Sequence, residues 1–109
     1  NEMYTSGFYC GDGTKGQRLI CLYDEKINVL PYLKYTSTRE ITSNKLAVVL
    51  TSKYDKEFVP SSNFTLKSRL DYLAGLIDSD GALNSSDGAI NITSTNNEYL
   101  KNIKLLFIY

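Results

Sequence analysis

Apolar residues in the second half of the chain recur at helical steps. Leu66, Leu70, Leu73, Ala74 and Ile77 fall three and four apart, the spacing of one buried stripe on a helix. The pattern predicts a helix over 66–78 with Thr65 or Ser68 as its N-cap. Asp80-Gly81 ends it, Gly81 being suited to a left-handed C-terminal cap. Asn84 to Gly88 then reads as a hairpin loop before a short strand over 89–93. Thr95 to Glu98 forms a capping box, and the helix after it gathers Tyr99, Leu100, Ile103, Leu106 and Phe107 on one side.

The first half repeats this order. A helix over 3–11 leads to Asp12-Gly13, and a Thr14-Lys15-Gly16 turn precedes a strand over 18–23. Asp24 can cap a second helix, which Pro31 must kink or restart. Segments 39–42 and 46–52 predict a hairpin around Ser43-Asn44, followed by a linker to Pro60. Tyr4, Gly7, Asp12 and Gly13 recur as Tyr72, Gly75, Asp80 and Gly81, at a constant offset of 68 residues. In the second helices Leu30, Leu33 and Lys34 match Leu100, Ile103 and Lys104 at an offset of 70. The chain therefore divides into halves at 1–60 and 61–109. The second half stops in an apolar run, 105–109, and is expected to be incomplete, lacking the strands that would follow its last helix.

Composition narrows the chemistry. At 109 residues, 42% of them hydrophobic, the chain can bury one modest core. Twelve basic and twelve acidic residues give a net charge of zero, which weighs against nucleic acid as a partner unless basic groups collect on one face. The absence of histidine excludes Ser-His-Asp and Cys-His nucleophile systems and histidine-ligated zinc. Cys10 and Cys21 are too few for a disulfide framework and read as reduced thiols of an intracellular protein. No apolar run approaches the ~20 residues of a membrane span. The glycosylation sequons at Asn63, Asn84 and Asn91 read as chance in so Asn-, Ser- and Thr-rich a sequence.

The repeat also has a chemical logic. Gly7 and Gly11 are four apart, as are Gly75 and Ser79, so each helix carries a flat ridge on which the other can pack backbone to backbone. Each helix then ends in an aspartate, the unfavourable end for an anion. Two such carboxylates side by side repel each other, and a divalent cation held between Asp12 and Asp80 offsets both costs. Asp78 is matched by Cys10 and lacks this symmetry; it is read as a solvated or salt-bridged group.

Tyr72-Leu73-Ala74-Gly75-Leu76-Ile77-Asp78-Ser79-Asp80-Gly81 closely resembles the motif that names the LAGLIDADG homing endonucleases, with serine for one alanine. The first copy, ending Gly11-Asp12-Gly13, is similar to the degenerate first motif of intein-borne members. The resemblance implies an α+β fold of two pseudo-symmetric αββαββα halves, the second truncated here, whose curved sheets sit over double-stranded DNA. It further implies that Asp12 and Asp80 hold Mg²⁺ or Mn²⁺ and cut both strands of a long site. Lys56, in Lys56-Glu57-Phe58-Val59-Pro60, resembles the lysine of a Lys-x-Ile-Pro segment, with one extra residue before the proline and Lys53 as the alternative. A lysine there would polarise the attacking water or stabilise the transition state. Arg18, Arg39, Lys45 and Lys53, on or beside strands, are the candidate DNA contacts. The splicing residues of an intein, an N-terminal Cys or Ser and a C-terminal His-Asn, are not in this stretch, so it cannot splice alone. The alternative is a binding module of the same fold without cleavage, such as a maturase or regulator.

Overall fold

The computed structural model describes residues 1–80, the side chain of Asp80 excepted, and the backbone of 82–83 and 90–91. Its elements in order are helix α1 (Glu2–Asp12), strand β1 (Leu19–Tyr23), a 3-10 helix (Asp24–Tyr32) and strands β2 (Tyr35–Thr42) and β3 (Lys45–Leu50). Helix α2 (Leu66–Asp80) and the short strands β4 (Ala82–Leu83) and β5 (Ile90–Asn91) follow. The result is a small α+β arrangement: one three-stranded antiparallel sheet, order β1-β3-β2, with helices packed beside it.

Helix α1 begins earlier than its apolar pattern predicts, because Asn1 caps it. The Asn1 side chain accepts from the Tyr4 N–H at 3.1 Å, satisfying one of the free donors of the first turn. At the other end the Gly13 N–H donates to the Tyr9 carbonyl. Gly13 is extended there, and a Cβ on it would come within 2.2 Å of the Tyr9 ring. The following turn needs Gly16, whose φ is +78°, a conformation glycine adopts without side-chain strain.

The sheet buries the face of period two that its sequence encodes. Ile20 and Leu22 of β1 and Val48 and Leu50 of β3 are fully buried, and they meet Tyr4, Phe8 and Tyr9 of α1 in one core. The pairings Ile20 with Val48 and Leu22 with Leu46 keep these side chains on the same face. Strand β2 occupies the free edge and is exposed along its whole length. It starts four residues before the predicted hairpin, and β3 ends at Leu50 rather than continuing to Ser52. The turn at Ser43-Asn44 lies where the sequence puts it, and Asn44 accepts at its carbonyl from the Asp24 N–H.

Two expectations are corrected. Asp24 does not cap an α-helix: Tyr23 stands at the cap without a side-chain bond, and Asp24 itself has φ +51°. The segment winds as 3-10 helix to Tyr32 with Pro31 inside it, a residue that has no N–H to offer an α ladder. In α2, the predicted stripe is buried only in part, at Leu73 and, half-buried, at Ile77. Leu66 and Leu70 are 45% and 55% exposed and Ala74 is exposed, whereas Tyr72, Leu73, Gly75, Leu76 and Ser79 are buried. Tyr72, Gly75, Leu76 and Ser79 recur at helical steps on the side where α2 meets α1, and closeness of backbone, rather than side-chain bulk, selects that side. Thr65, not Ser68, is the cap, accepting at its hydroxyl from the Ser68 N–H at 3.1 Å. The strand pair β4–β5 brackets the hairpin loop read at 84–88. The capping box at 95–98, the helix after it and the matches at Leu100, Ile103 and Lys104 lie outside the described residues.

Candidate functional site

Helices α1 and α2 touch through their backbones. A Cβ built on Gly7 would stand 1.9 Å from the Tyr72 carbonyl oxygen, and one on Gly75 would stand 2.0 Å from the Tyr4 carbonyl oxygen. The two contacts are reciprocal under the 68-residue offset: residue 7 meets residue 72, and residue 75 meets residue 4. Ser79 is buried and returns its hydroxyl to the Leu76 carbonyl at 3.0 Å. Gly11 is half-buried and offers its carbonyl to Lys56.

The side chains repeat the same relation. The Tyr4 hydroxyl crosses to α2 and donates to the Asp78 carboxylate at 2.7 Å. Tyr72 crosses to α1, where its hydroxyl lies 3.4 Å from Cys10 Sγ and donates to the Phe58 carbonyl. Asp78 is thus exposed and bonded by a phenol, with no salt bridge among the described residues. Burial above all, and then the bond to Asp78, pushes the Tyr4 hydroxyl well above its ordinary value of 10.0.

At the C-terminal ends of the two helices, two lysines converge. Lys26, from the 3-10 helix, donates to Asp12 Oδ2 at 2.8 Å and to the Ser79 carbonyl at 2.6 Å, tying the ends of α1 and α2 together. Lys56, from the linker, donates to the carbonyls of Gly13 at 2.9 Å and Gly11 at 3.3 Å. Helix C-termini leave carbonyls unpaired and partially negative, so both ammonium groups sit where the backbone field favours them. Asp12, on the same end, has the opposite preference, and Lys26 offsets it.

Asp12 and Lys26 open onto a hollow of about 830 Å³ whose wall includes Cys21, Tyr23, Asp24 and Glu25. Cys21 and Tyr23 alternate with the buried Ile20 and Leu22, so this hollow lies at the sheet face turned away from α1. Lys45 is on that face too, paired with Tyr23 and with its ammonium 5.2 Å from the Tyr23 ring centre. Arg39 is paired with Ala47 and shares the face. Arg18 is exposed in the bend before β1. Lys53 is not brought to this place; it lines a separate hollow with Met3, Tyr54 and Phe64.

The structure therefore brings Asp12, Lys56, Gly7, Gly75 and Ser79 into one region. The Asp80 side chain, paired with Asp12 in the sequence reading, lies outside the described residues. Among the described residues no three His, Cys, Asp or Glu side chains cluster as a metal site would. Lys26 was not foreseen. It has no counterpart in the repeat and stands fourteen positions from its partner Asp12, so neither spacing nor symmetry marks it.

No family model matches the sequence, and no solved structure matches it. The chain is similar to the large subunit of ribonucleoside-diphosphate reductase from Invertebrate iridescent virus 6, with 34% identity over 112 aligned residues. The match takes in 96% of this chain but 12% of that protein. Among the described residues no helix is long and apolar enough to cross a membrane.

Proposed function

We propose that this chain is the DNA-cleaving region of a LAGLIDADG homing endonuclease, carried inside a host protein as inteins are. The observation that supports this reading most is the reciprocal backbone contact at Gly7 and Gly75. A pair of helices joined that closely, each with an aspartate at the same end, is the arrangement that the motif resemblance implies. The sheet face bearing Arg39, Lys45 and Tyr23 runs beside Asp12, so a duplex laid on it would bring a phosphodiester to the helix ends. Arg39 and Lys45 supply positive charge on that face, and phosphate contacts depend on local rather than total charge.

The donor set fits a hard divalent cation such as Mg²⁺ or Mn²⁺. The Asp12 carboxylate and the Ser79 carbonyl already converge on one positive charge at 2.8 and 2.6 Å, and oxygen donors of this kind are what such ions prefer. Bound there with Asp80, the ion would supply Lewis acidity at the phosphate and a more acidic water. The chain's own contribution is then placement. The glycine contact fixes the distance between the helix ends, and Lys56, whose ammonium sits on the Gly11 and Gly13 carbonyls that flank Asp12, would stabilise charge on a phosphate oxygen brought there.

The viral relative bears on the setting. A discrete segment with its own core and its own internal repeat, matching 12% of a large subunit, is what an insertion in a reductase would look like. A different reading, that these residues are an integral part of a reductase, rests on the same match. The two separate on a simple measurement, the mass of the mature host subunit with and without this segment. The endonuclease reading is tested by incubating the protein, within its host protein, with host-gene DNA that lacks the insertion. With Mg²⁺ present one double-strand break is expected, and Asp12→Asn or Asp80→Asn should abolish it. Binding without any break would favour the non-cleaving module, and neither binding nor cleavage would overturn the reading.

A further inference from the structure

We infer that Lys26 is a resident counter-ion of the cation position, and that its ammonium must leave Asp12 for a divalent ion to bind. The inference rests on the reading of Asp12 as a cation ligand and adds to it the residue that sets the ion's affinity. Two observations and one electrostatic argument carry it. The Lys26 ammonium lies between oxygens of both helix ends, 2.8 Å from Asp12 Oδ2 and 2.6 Å from the Ser79 carbonyl. A lysine ammonium in that place and a metal ion would compete for the same lone pairs, and two positive charges a few ångströms apart repel each other. The Lys26 side chain is also 39% exposed and Asp12 23%, so one side of the ammonium is open to water and the side chain can swing out.

There is a place for it to go. The hollow it opens onto is lined by Asp24 and Glu25 as well as Asp12, and a lysine released from Asp12 can exchange one carboxylate environment for another without losing its charge partner. Lys26 therefore acts as a positioning residue with two stations. At Asp12 it offsets the anion at the end of α1 and clamps that end to α2; withdrawn, it leaves the two oxygens to the incoming ion. A cation of fixed position would make the site rigid whether or not metal is present, whereas an exchangeable one makes closure of the site depend on the ion.

The test uses Mn²⁺ alone, its free concentration followed by electron paramagnetic resonance, on the wild-type protein and on Lys26→Met and Lys26→Arg. Methionine keeps the stem and removes the charge, and should tighten Mn²⁺ binding about tenfold, the scale of a partly exposed charged hydrogen bond. Arginine keeps the charge and should leave affinity near wild type. Wild-type binding with no tightening in Lys26→Met overturns the inference about Lys26 alone; absence of Mn²⁺ binding in both proteins overturns the assignment of Asp12 as well. A second measurement needs no variant. Mn²⁺ should raise the rate at which an amine-acylating reagent labels Lys26 in the wild-type protein, as mapped by peptide mass. An unchanged or reduced rate means that the lysine stays on Asp12, which refutes its displacement.

Discussion

Replacing Gly75 by alanine adds one methyl group to a helix interior, and intrinsic propensity alone would make that change stabilising by ~1 kcal/mol. The helix contact reverses the sign. The new Cβ would stand 2.0 Å from the Tyr4 carbonyl oxygen and 2.8 Å from the Phe8 nitrogen. Both atoms are backbone, and neither can turn aside as a side chain would. Restoring an ordinary separation of ~3.5 Å requires the helices to part by about 1.5 Å along the contact. That loosens Tyr72, Leu73 and Leu76 against α1 and stretches the Tyr4–Asp78 bond. Overpacking of this kind costs ~1–3 kcal/mol, and a clash with unyielding atoms belongs at the top of that range. Subtracting the propensity gain leaves ~2 kcal/mol of net destabilisation, equivalent to a fall of ~8 °C in Tm for a chain of this length. Thermal unfolding followed by circular dichroism measures it. Gly16→Ala is the contrast: a Cβ there meets nothing within 4 Å, so only its left-handed backbone is strained, at ~1 kcal/mol. A Gly75→Ala protein as stable as wild type, or more so, would refute the backbone contact and with it the positioning of the two helix ends.

Other outcomes follow from the same geometry. Lys56→Met removes the donor to the Gly11 and Gly13 carbonyls. It should cost ~1 kcal/mol of stability and lower DNA cleavage by ~100-fold or more, with Lys56→Arg restoring the melting point. Asp78→Asn keeps an acceptor for the Tyr4 hydroxyl and should retain cleavage in the assay where Asp12→Asn loses it; equal loss in both would reverse the assignment of the two aspartates. Tyr4 gives a pH dependence. Its hydroxyl stays protonated in the folded state above 10.0, so its contribution is whole below pH 10 and is lost as the pH rises above that value, where the unfolded chain ionises first. Tyr4→Phe should therefore flatten the alkaline limb of the stability curve in denaturant titrations, and an unchanged limb would show that Tyr4 ionises freely.

Local signals made most of the first half readable. Period-two burial in β1 and β3, the turn at Ser43-Asn44 and the linker before α2 all lie where the order of apolar and polar residues puts them. The close contact was readable at Gly7 and Gly75, because backbones that touch need a residue without a Cβ on each helix, and the repeat shows one in each copy. The α2 stripe held at Leu73 and failed at Leu66, Leu70 and Ala74, where side-chain bulk does not decide burial. Leucines at 66 and 70 outweigh Gly75 in any count of hydrophobicity, yet a backbone contact is invisible to such a count. The 3-10 segment failed because Asp24 adopts a left-handed conformation that its residue type permits but does not demand. In the site, Asp12 and Lys56 were marked by motif position, whereas Lys26 answers to a field summed from two helix ends and no residue pattern encodes that. The crossing of Tyr4 and Tyr72 lay in plain view as a repeated tyrosine, but its partners, Asp78 and Cys10, differ in kind and concealed it.

That difference makes the two positions non-interchangeable. Geometrically, the two phenols trade places across the helix pair. Chemically they arrive at unlike destinations, one a carboxylate open to water and the other a thiol whose Sγ lies 3.5 Å from the Asp55 and Phe58 carbonyls of the linker. A carboxylate at position 10 would face carbonyls that could only repel it, and a thiol at position 78 would give the Tyr4 hydroxyl a far poorer acceptor. Neither position can therefore take the other's residue without weakening a contact. The linker between the two helices is thus part of the socket that keeps positions 10 and 78 distinct.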